Sequence, residues 1–201
     1  MEFDGTFTID DVSAEEVWLA LSDPYMIKQS LPGCQFLTRV DDPDDVDFEA
    51  LREETGEDPP LLPEADPEDV ADRGFEAGEH YAALVEIGVG AVNPSFKTIV
   101  TIDEWDYPTG SASGEGDASG SAFEMDSGMS LTENDDGSVD IDWHAEADVF
   151  GRIAQMGQRV INPVADRVVS RFFQNIESQL TAVADEADES GGLGDRIRDL
   201  L

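Results

Sequence analysis

The chain has 201 residues, 40% of them hydrophobic, enough for one domain with a buried core. Aspartate and glutamate number 47 against 11 lysines and arginines, a net charge of −36, which excludes nucleic acid as a partner because no basic surface can displace counterions from phosphates. The single cysteine, Cys34, excludes an internal disulfide and a cysteine metal cluster, no apolar run approaches the roughly 18–20 residues that span a bilayer, and the acidic start MEFDGTFTID is neither a signal nor a transit peptide.

In chain order, Phe3, Gly5, Phe7 and Ile9 alternate with Glu2, Asp4, Thr6 and Thr8, which predicts a half-buried strand. Ser13 and Glu16 have capping-box spacing and open a helix with Val17, Trp18 and Leu21 on one face. Asp23-Pro24 starts a second short helix that ends at Leu31-Pro32-Gly33, and a strand follows over 35–40. Residues 41–78 are acidic and hold Pro43, Pro59, Pro60, Pro63 and Pro67, so a long loop between two neighbouring strands is expected, with Phe48 and Leu51 on one face of a short helix and Val70 on another.

Regular alternation returns with Tyr81, Ala83, Val85, Ile87 and Val89, and then with Phe96, Thr98, Val100 and Ile102. A small-residue strand over 111–117 carries Gly114 and Gly116, a sign of strong curvature or close backbone approach. Phe123, Met125, Ser127, Met129 and Leu131 share one face of the next strand, and Val139, Ile141, Trp143, Ala145 and Ala147 one face of the last. Their alternates in the last strand, Asp140, Asp142, His144, Glu146 and Asp148, predict a solvated outer face. Through Gly151 the chain enters a long amphipathic helix with the stripe Ile153, Met156, Val160, Val164, Val168, Phe172, Ile176 and Leu180, interrupted by Pro163. The expected fold is α+β, a helix-grip arrangement in which a curved antiparallel sheet wraps a long C-terminal helix. It would occupy 1–183, with 41–78 as an insertion and 184–201 as an acidic flexible tail.

The blocks MEFDGTFTID, SAEEVWLALSDP, LPGC, EHYAALVEIGVGAVNPSFK, GEGDASGSAF and GRIAQMGQRVINPVADRVVSRFFQNI, in this order, resemble the G-subunit family of carbon monoxide dehydrogenase, within the START-like (SRPBCC) superfamily. The resemblance covers 1–40 and 79–180. The acids are spread over every segment and only Lys28 and Lys97 are lysines, which reads as adaptation to molar salt, a haloarchaeal-type member. The resemblance implies a non-catalytic accessory protein of a molybdenum hydroxylase. It would bind a respiratory quinone in its apolar cavity and link the enzyme to the membrane, a cytoplasmic protein peripheral at the inner membrane face. Many relatives end in a linker and a hydrophobic anchor; this sequence ends at Leu201, so only a weak contact with membrane or enzyme is expected, through Leu193, Ile197, Leu200 and Leu201 beside Arg196 and Arg198.

The expected ligand-binding set is Tyr81, Phe96, Phe123, Met125, Met129, Trp143, Met156 and Val160, because a sheet gripping one helix leaves space that flexible methionines can line. The quinone is the only bound group expected, and no intrinsic cofactor or metal. His144 and His80 fall on the outward set and read as surface residues rather than catalytic bases. No histidine pair has ligand spacing, and Glu133 to Asp136 reads as a hairpin turn rather than a calcium loop. Gly114-Glu115-Gly116 lacks the third glycine and the following helix of a nucleotide fingerprint. Cys34 reads as a small buried residue. Two other classes are a protein-interaction module with a filled core and a cyclase- or hydrolase-type enzyme of the same superfamily. The enzyme needs convergent acid–base groups, and the inward positions are almost all apolar.

Overall fold

The computed structural model describes residues 1–187 except 55, 63, 90, 92 and 119. The tail contact expected at Leu193 to Leu201 lies outside the described residues. The elements are β1 (Glu2–Ile9), α1 (Ala14–Ser22), α2 (Pro24–Ser30), β2 (Cys34–Val40), α3 (Phe48–Glu53), α4 (Pro67–Ala71), β3 (His80–Glu86), β4 (Ser95–Asp106), β5 (Thr109–Ala118), β6 (Ser121–Glu133), β7 (Val139–Gly151) and α5 (Gln158–Ala187). The strands form one antiparallel sheet in the order β1-β7-β6-β5-β4-β3-β2. Helices α1, α2 and α5 cover one face, the helix-grip arrangement expected.

Local chemistry explains where the elements begin. Ser13 Oγ accepts from the Glu16 amide at 3.2 Å while Glu16 Oε2 accepts from the Ser13 amide at 2.8 Å, completing the capping box of α1. The β6–β7 hairpin turns through Asn134 and Gly137, with the Gly137 amide donating to the Asn134 carbonyl at 3.1 Å, so this run is a turn as the sequence reads. Gly151 has φ +78, and a Cβ there would stand 2.2 Å from the Gly120 carbonyl oxygen, so only glycine fits the corner that leads out of β7. The helix starts later than its periodicity predicts. Ile153 precedes a 3-10 turn at Ala154–Met156, and Gly157 (φ +75) separates that turn from α5. Ile153 and Met156 are therefore packed by the turn, not by the helix.

The 41–78 segment joins β2 to β3 as expected, and its two short helices, one at Phe48 and Leu51 and one at Val70, each pack on a surface of their own. Asp47 caps α3, accepting from the Glu49 and Ala50 amides. Val46, Phe48 and Leu51 pack on Phe36, Ala82 and Leu84, on the outer face of the sheet. Asp66 caps α4, and Leu62, Ala65 and Val70 join the main core beside α1. Helix α1 is consequently buried on more than the one face its sequence suggests: Leu19 and Ala20 are as buried as Val17, Trp18 and Leu21. Complete burial of Leu62 and Val70 contributes roughly 1.5–3 kcal/mol each, enough to hold in place helices too short to form alone.

The same segment is pinned by an ion pair across 50 residues. Arg73 donates from Nε to Asp23 Oδ1 at 3.1 Å and from Nη2 to Oδ2 at 2.6 Å, and Nη2 also donates to the Pro60 carbonyl at 2.9 Å. Asp23 is fully buried and also caps α2 by accepting from the Tyr25 amide.

The outer face opposes like charges. Glu115 pairs with Glu124, and Glu124 with Asp148; Asp126 pairs with Glu146, and Glu146 with Glu2. Like charges directly opposite across strands are destabilising, and molar salt relieves that repulsion by screening.

Candidate functional site

Helix α5 crosses the concave face between two packed groups. At one end Phe96, Val89 and Ile153 pack with Phe123, Val149, Met156, Val160, Ile161 and Val164. At the other, Phe173, Ile176 and Leu180 pack with Ile9, Leu131, Val139 and Ile141, joined by Phe7, Met129, Trp143, Val169 and Phe172. Aromatic rings dominate both. The Phe96 and Phe123 rings meet edge to face at 5.3 Å; Phe7 stacks on Phe173 at 5.3 Å, with Trp143 6.4 Å from Phe173. Glycine lets the rings lie on the sheet: a Cβ on Gly116 would meet Phe123 Cε1 at 2.4 Å, and one on Gly5 would meet Trp143 at 3.1 Å.

Between the two groups the sheet offers small residues. Met125 pairs with Ala147 and Gly114, Ser127 with Ala145 and Ala112, and Gly114 with Val100. All of these are half-buried, as are Ala165 and Val168, the α5 residues that lie between the two groups. Among the described residues Met125 joins neither packed group. Half-exposure under a covering helix means that helix and sheet do not close on each other there. A Cβ on Gly114 would make only ordinary contacts, 3.5 Å to the Ile99 carbonyl oxygen and 3.9 Å to Val100 Cγ2.

The expected ligand set therefore divides. Phe96, Phe123, Met156 and Val160 build one end of this strip, Met129 and Trp143 build the other, and Met125 lies on its floor. Tyr81 stands apart. It is buried edge to face against Phe75 at 4.9 Å and donates its hydroxyl to Glu79 Oε2 at 2.6 Å, while Arg39 pairs with the other oxygen of Glu79. Burial, then the hydrogen bond and charge of Glu79, push the Tyr81 pKa well above the usual phenol range, so this hydroxyl is committed to the scaffold. Reading the large apolar residues missed Val100, Gly114, Ala145, Ala147, Ala165 and Val168. Their signal in the sequence was small size in the middle of inward-facing rows.

Polar groups on the inner face are few. Ser127 Oγ donates to the Ala112 carbonyl at 3.0 Å, and the buried Thr98 hydroxyl has no hydrogen-bond partner among the described residues. His144 is exposed on the outer face, and His80 Nδ1 lies 3.0 Å from Thr101 Oγ1. Burial pushes the Cys34 thiol up to about 11, with Lys28 pulling weakly the other way, an unreactive thiol at physiological pH. A separate cleft of about 300 Å³ lies outside the gripped strip, walled by Gln29, Pro59, Pro60, Leu61, Leu62, Glu64 and Gln179. It shares no residue with the expected set.

Several solved structures share this fold. A conserved protein from Geobacillus kaustophilus is 21% identical and superposes with a TM-score of 0.66, over 90% of this chain and 96% of that one. The Zhui aromatase/cyclase from Streptomyces sp. R1128 is 8% identical with a TM-score of 0.58, over 90% and 93%. A norcoclaurine synthase from Thalictrum flavum, in complex with a transition-state analogue, is 11% identical with a TM-score of 0.50, over 90% and 94%. No curated protein matches the sequence. The family model of the carbon monoxide dehydrogenase G subunit (CoxG) matches residues 73–181, a span that runs from the Arg73 anchor through every residue of the half-buried strip, and the chain belongs to that family.

Proposed function

We propose that this protein is a non-catalytic accessory protein of a molybdenum hydroxylase of the carbon monoxide dehydrogenase type. It holds a hydrophobic ligand, a respiratory quinone, on the strip between α5 and the sheet, and it links the enzyme to the membrane. The observation that carries this reading is the unclosed apolar surface around Met125, Gly114, Ala145 and Ala147, half-buried in the middle of an otherwise well-packed interface. Small flat residues below and aliphatic residues above suit a ring, and Met125 can adapt to its edge. Family membership supports the enzyme partner. A cyclase-type activity has less support, because the inner-face hydroxyls of Thr98 and Ser127 are weak acids and bases at neutral pH.

Trp143 borders the strip and reports on it. Titration with menadione and a short-chain menaquinone should quench its fluorescence saturably. Met125→Glu places a charge on an apolar floor and should abolish the quenching while circular dichroism stays unchanged. Saturable quenching of equal affinity in the variant would remove the ligand from this strip, and no quenching of the native protein would favour a pure interaction module.

A further inference from the structure

The outer face of α5 and the turn before it reverse the charge of the rest of the molecule. Between Asp148 and Glu177 the sequence has one acidic residue, Asp166, and four arginines, Arg152, Arg159, Arg167 and Arg171, in a chain of net charge −36. All four arginines are exposed. Of the five other cations among the described residues, Lys28, Arg39 and Arg73 are paired with a carboxylate. Among the described residues none of the four is so paired. At 100° per residue, Arg159, Arg167 and Arg171 fall within a sector of about 120° and extend over about 18 Å of helix. Their neighbours in that sector, Pro163, Ser170 and Gln174, are uncharged and exposed.

The end of this stripe is apolar as well as basic. Arg152 directly follows the β7 corner at Gly151. Met156, Val160 and Ile161, partly exposed, follow it at the end of the strip built by Phe123 and Val149. Cations beside partly exposed apolar residues are the composition of an interfacial contact.

We propose that the outer face of α5, from Arg159 to Arg171 with Arg152 in the turn before it, is a docking surface for a bilayer bearing anionic phosphate headgroups. The inference deepens the membrane-linking half of the proposed function and rests on it. Charge complementarity selects the partner, and the guanidinium groups are suited to phosphate because they can engage it in a bidentate manner. Salt decides how the remaining acids matter. In molar salt the Debye length is about 3 Å, so repulsion between the acidic body and the bilayer is screened while direct arginine–phosphate contacts, no longer than that, survive. The geometry also brings the Phe123–Met156 end of the strip next to the bilayer, where a lipid-soluble ring would enter.

The test is flotation of the full chain with vesicles of a phosphatidylglycerol-type lipid and of a neutral phosphatidylcholine-type lipid, in molar potassium chloride. The native protein should float with the anionic vesicles only. Arg159→Glu/Arg167→Glu/Arg171→Glu should lower the bound fraction roughly tenfold or more, and lysine at the same three positions should retain most of it. Menadione quenching of Trp143 in vesicle-free solution should be the same in all three proteins. Failure of the native chain to float, or equal flotation of the glutamate variant, overturns the surface; an acidic face of a protein partner would then be its remaining use. Loss of quenching in the native protein would instead overturn the ligand reading and leave the flotation result standing.

Discussion

Gly114 and Gly116 lie two residues apart on the same face of β5, and the structure predicts opposite outcomes when each gains a methyl group. At Gly116 the new Cβ would stand 2.4 Å from Phe123 Cε1, 2.7 Å from its Cζ and 2.8 Å from Thr98 Oγ1. The ring must lift, and Phe123 is held from the other side by Phe96. Overpacking of this kind costs about 1–3 kcal/mol, only partly offset by the roughly 0.4–1 kcal/mol gained from a stiffer unfolded chain. At Gly114 the nearest atoms are 3.5 and 3.9 Å away, so Gly114→Ala should keep that gain and be neutral or slightly stabilising. Gly114→Leu extends further into the same space. It should fold and yet weaken quinone binding at least roughly tenfold, about 1.4 kcal/mol, because it occupies the floor beside Met125. Thermal unfolding by circular dichroism at fixed molar potassium chloride measures the first pair, and Trp143 quenching measures the third variant. Equal destabilisation by the two alanine variants would mean that the strip is closed at Gly114. Native affinity in Gly114→Leu would mean that the ligand sits elsewhere.

Arg73→Met leaves Asp23 fully buried without its bidentate partner, and removal of one member of a buried pair costs about 3–5 kcal/mol. The low end is expected because the Arg73 side chain retains 19% exposure. Denaturant titration at constant salt measures it, and a loss under about 1 kcal/mol would class the pair with screened surface contacts. Cys34 gives a pH dependence of known sign. Its thiol is raised from 9.0 in the unfolded chain to about 11 in the fold, so the folded state keeps a proton that the unfolded state releases. That contribution is complete below pH 9 and is lost as pH rises through 11. Cys34→Ser should flatten this part of the stability curve, and an unchanged alkaline slope would assign it to other groups.

Period-two alternation in β6 and β7, the Ser13–Glu16 box and the glycine corner at 151 are local signals, and the fold follows from them. Helices α3 and α4 were less legible because their stability is tertiary: a few apolar residues in an acidic, proline-rich background have no partner until the sheet and α1 supply one. Phe48 and Leu51 do share a face, as their spacing suggests, and what the spacing lacks is the surface they meet. The Asp23–Arg73 pair joins residues 50 apart, beyond any local pattern. Tyr81 has the right parity for the inner face, and parity says nothing of Glu79 and Phe75, which claim it.

The division of the ligand set has one physical cause. The distance between a helix and a sheet is set by the largest side chains between them, and here these are the rings of Phe96 and Phe123 at one end and of Phe7, Trp143 and Phe173 at the other. Large residues fill the space they create, so they mark where the interface is closed. The row Trp143, Ala145, Ala147, Val149 is bulky at both ends and small in the middle, Ser127 repeats that dip on β6 between Phe123 and Leu131, and the β5 row from Gly110 to Gly116 is small throughout. Small residues under a helix held away by rings pack less closely against it, and these stay half-buried. In a sheet that grips a helix, the lining of a cavity is thus read from where the inward row becomes small, with the aromatic residues acting as its spacers.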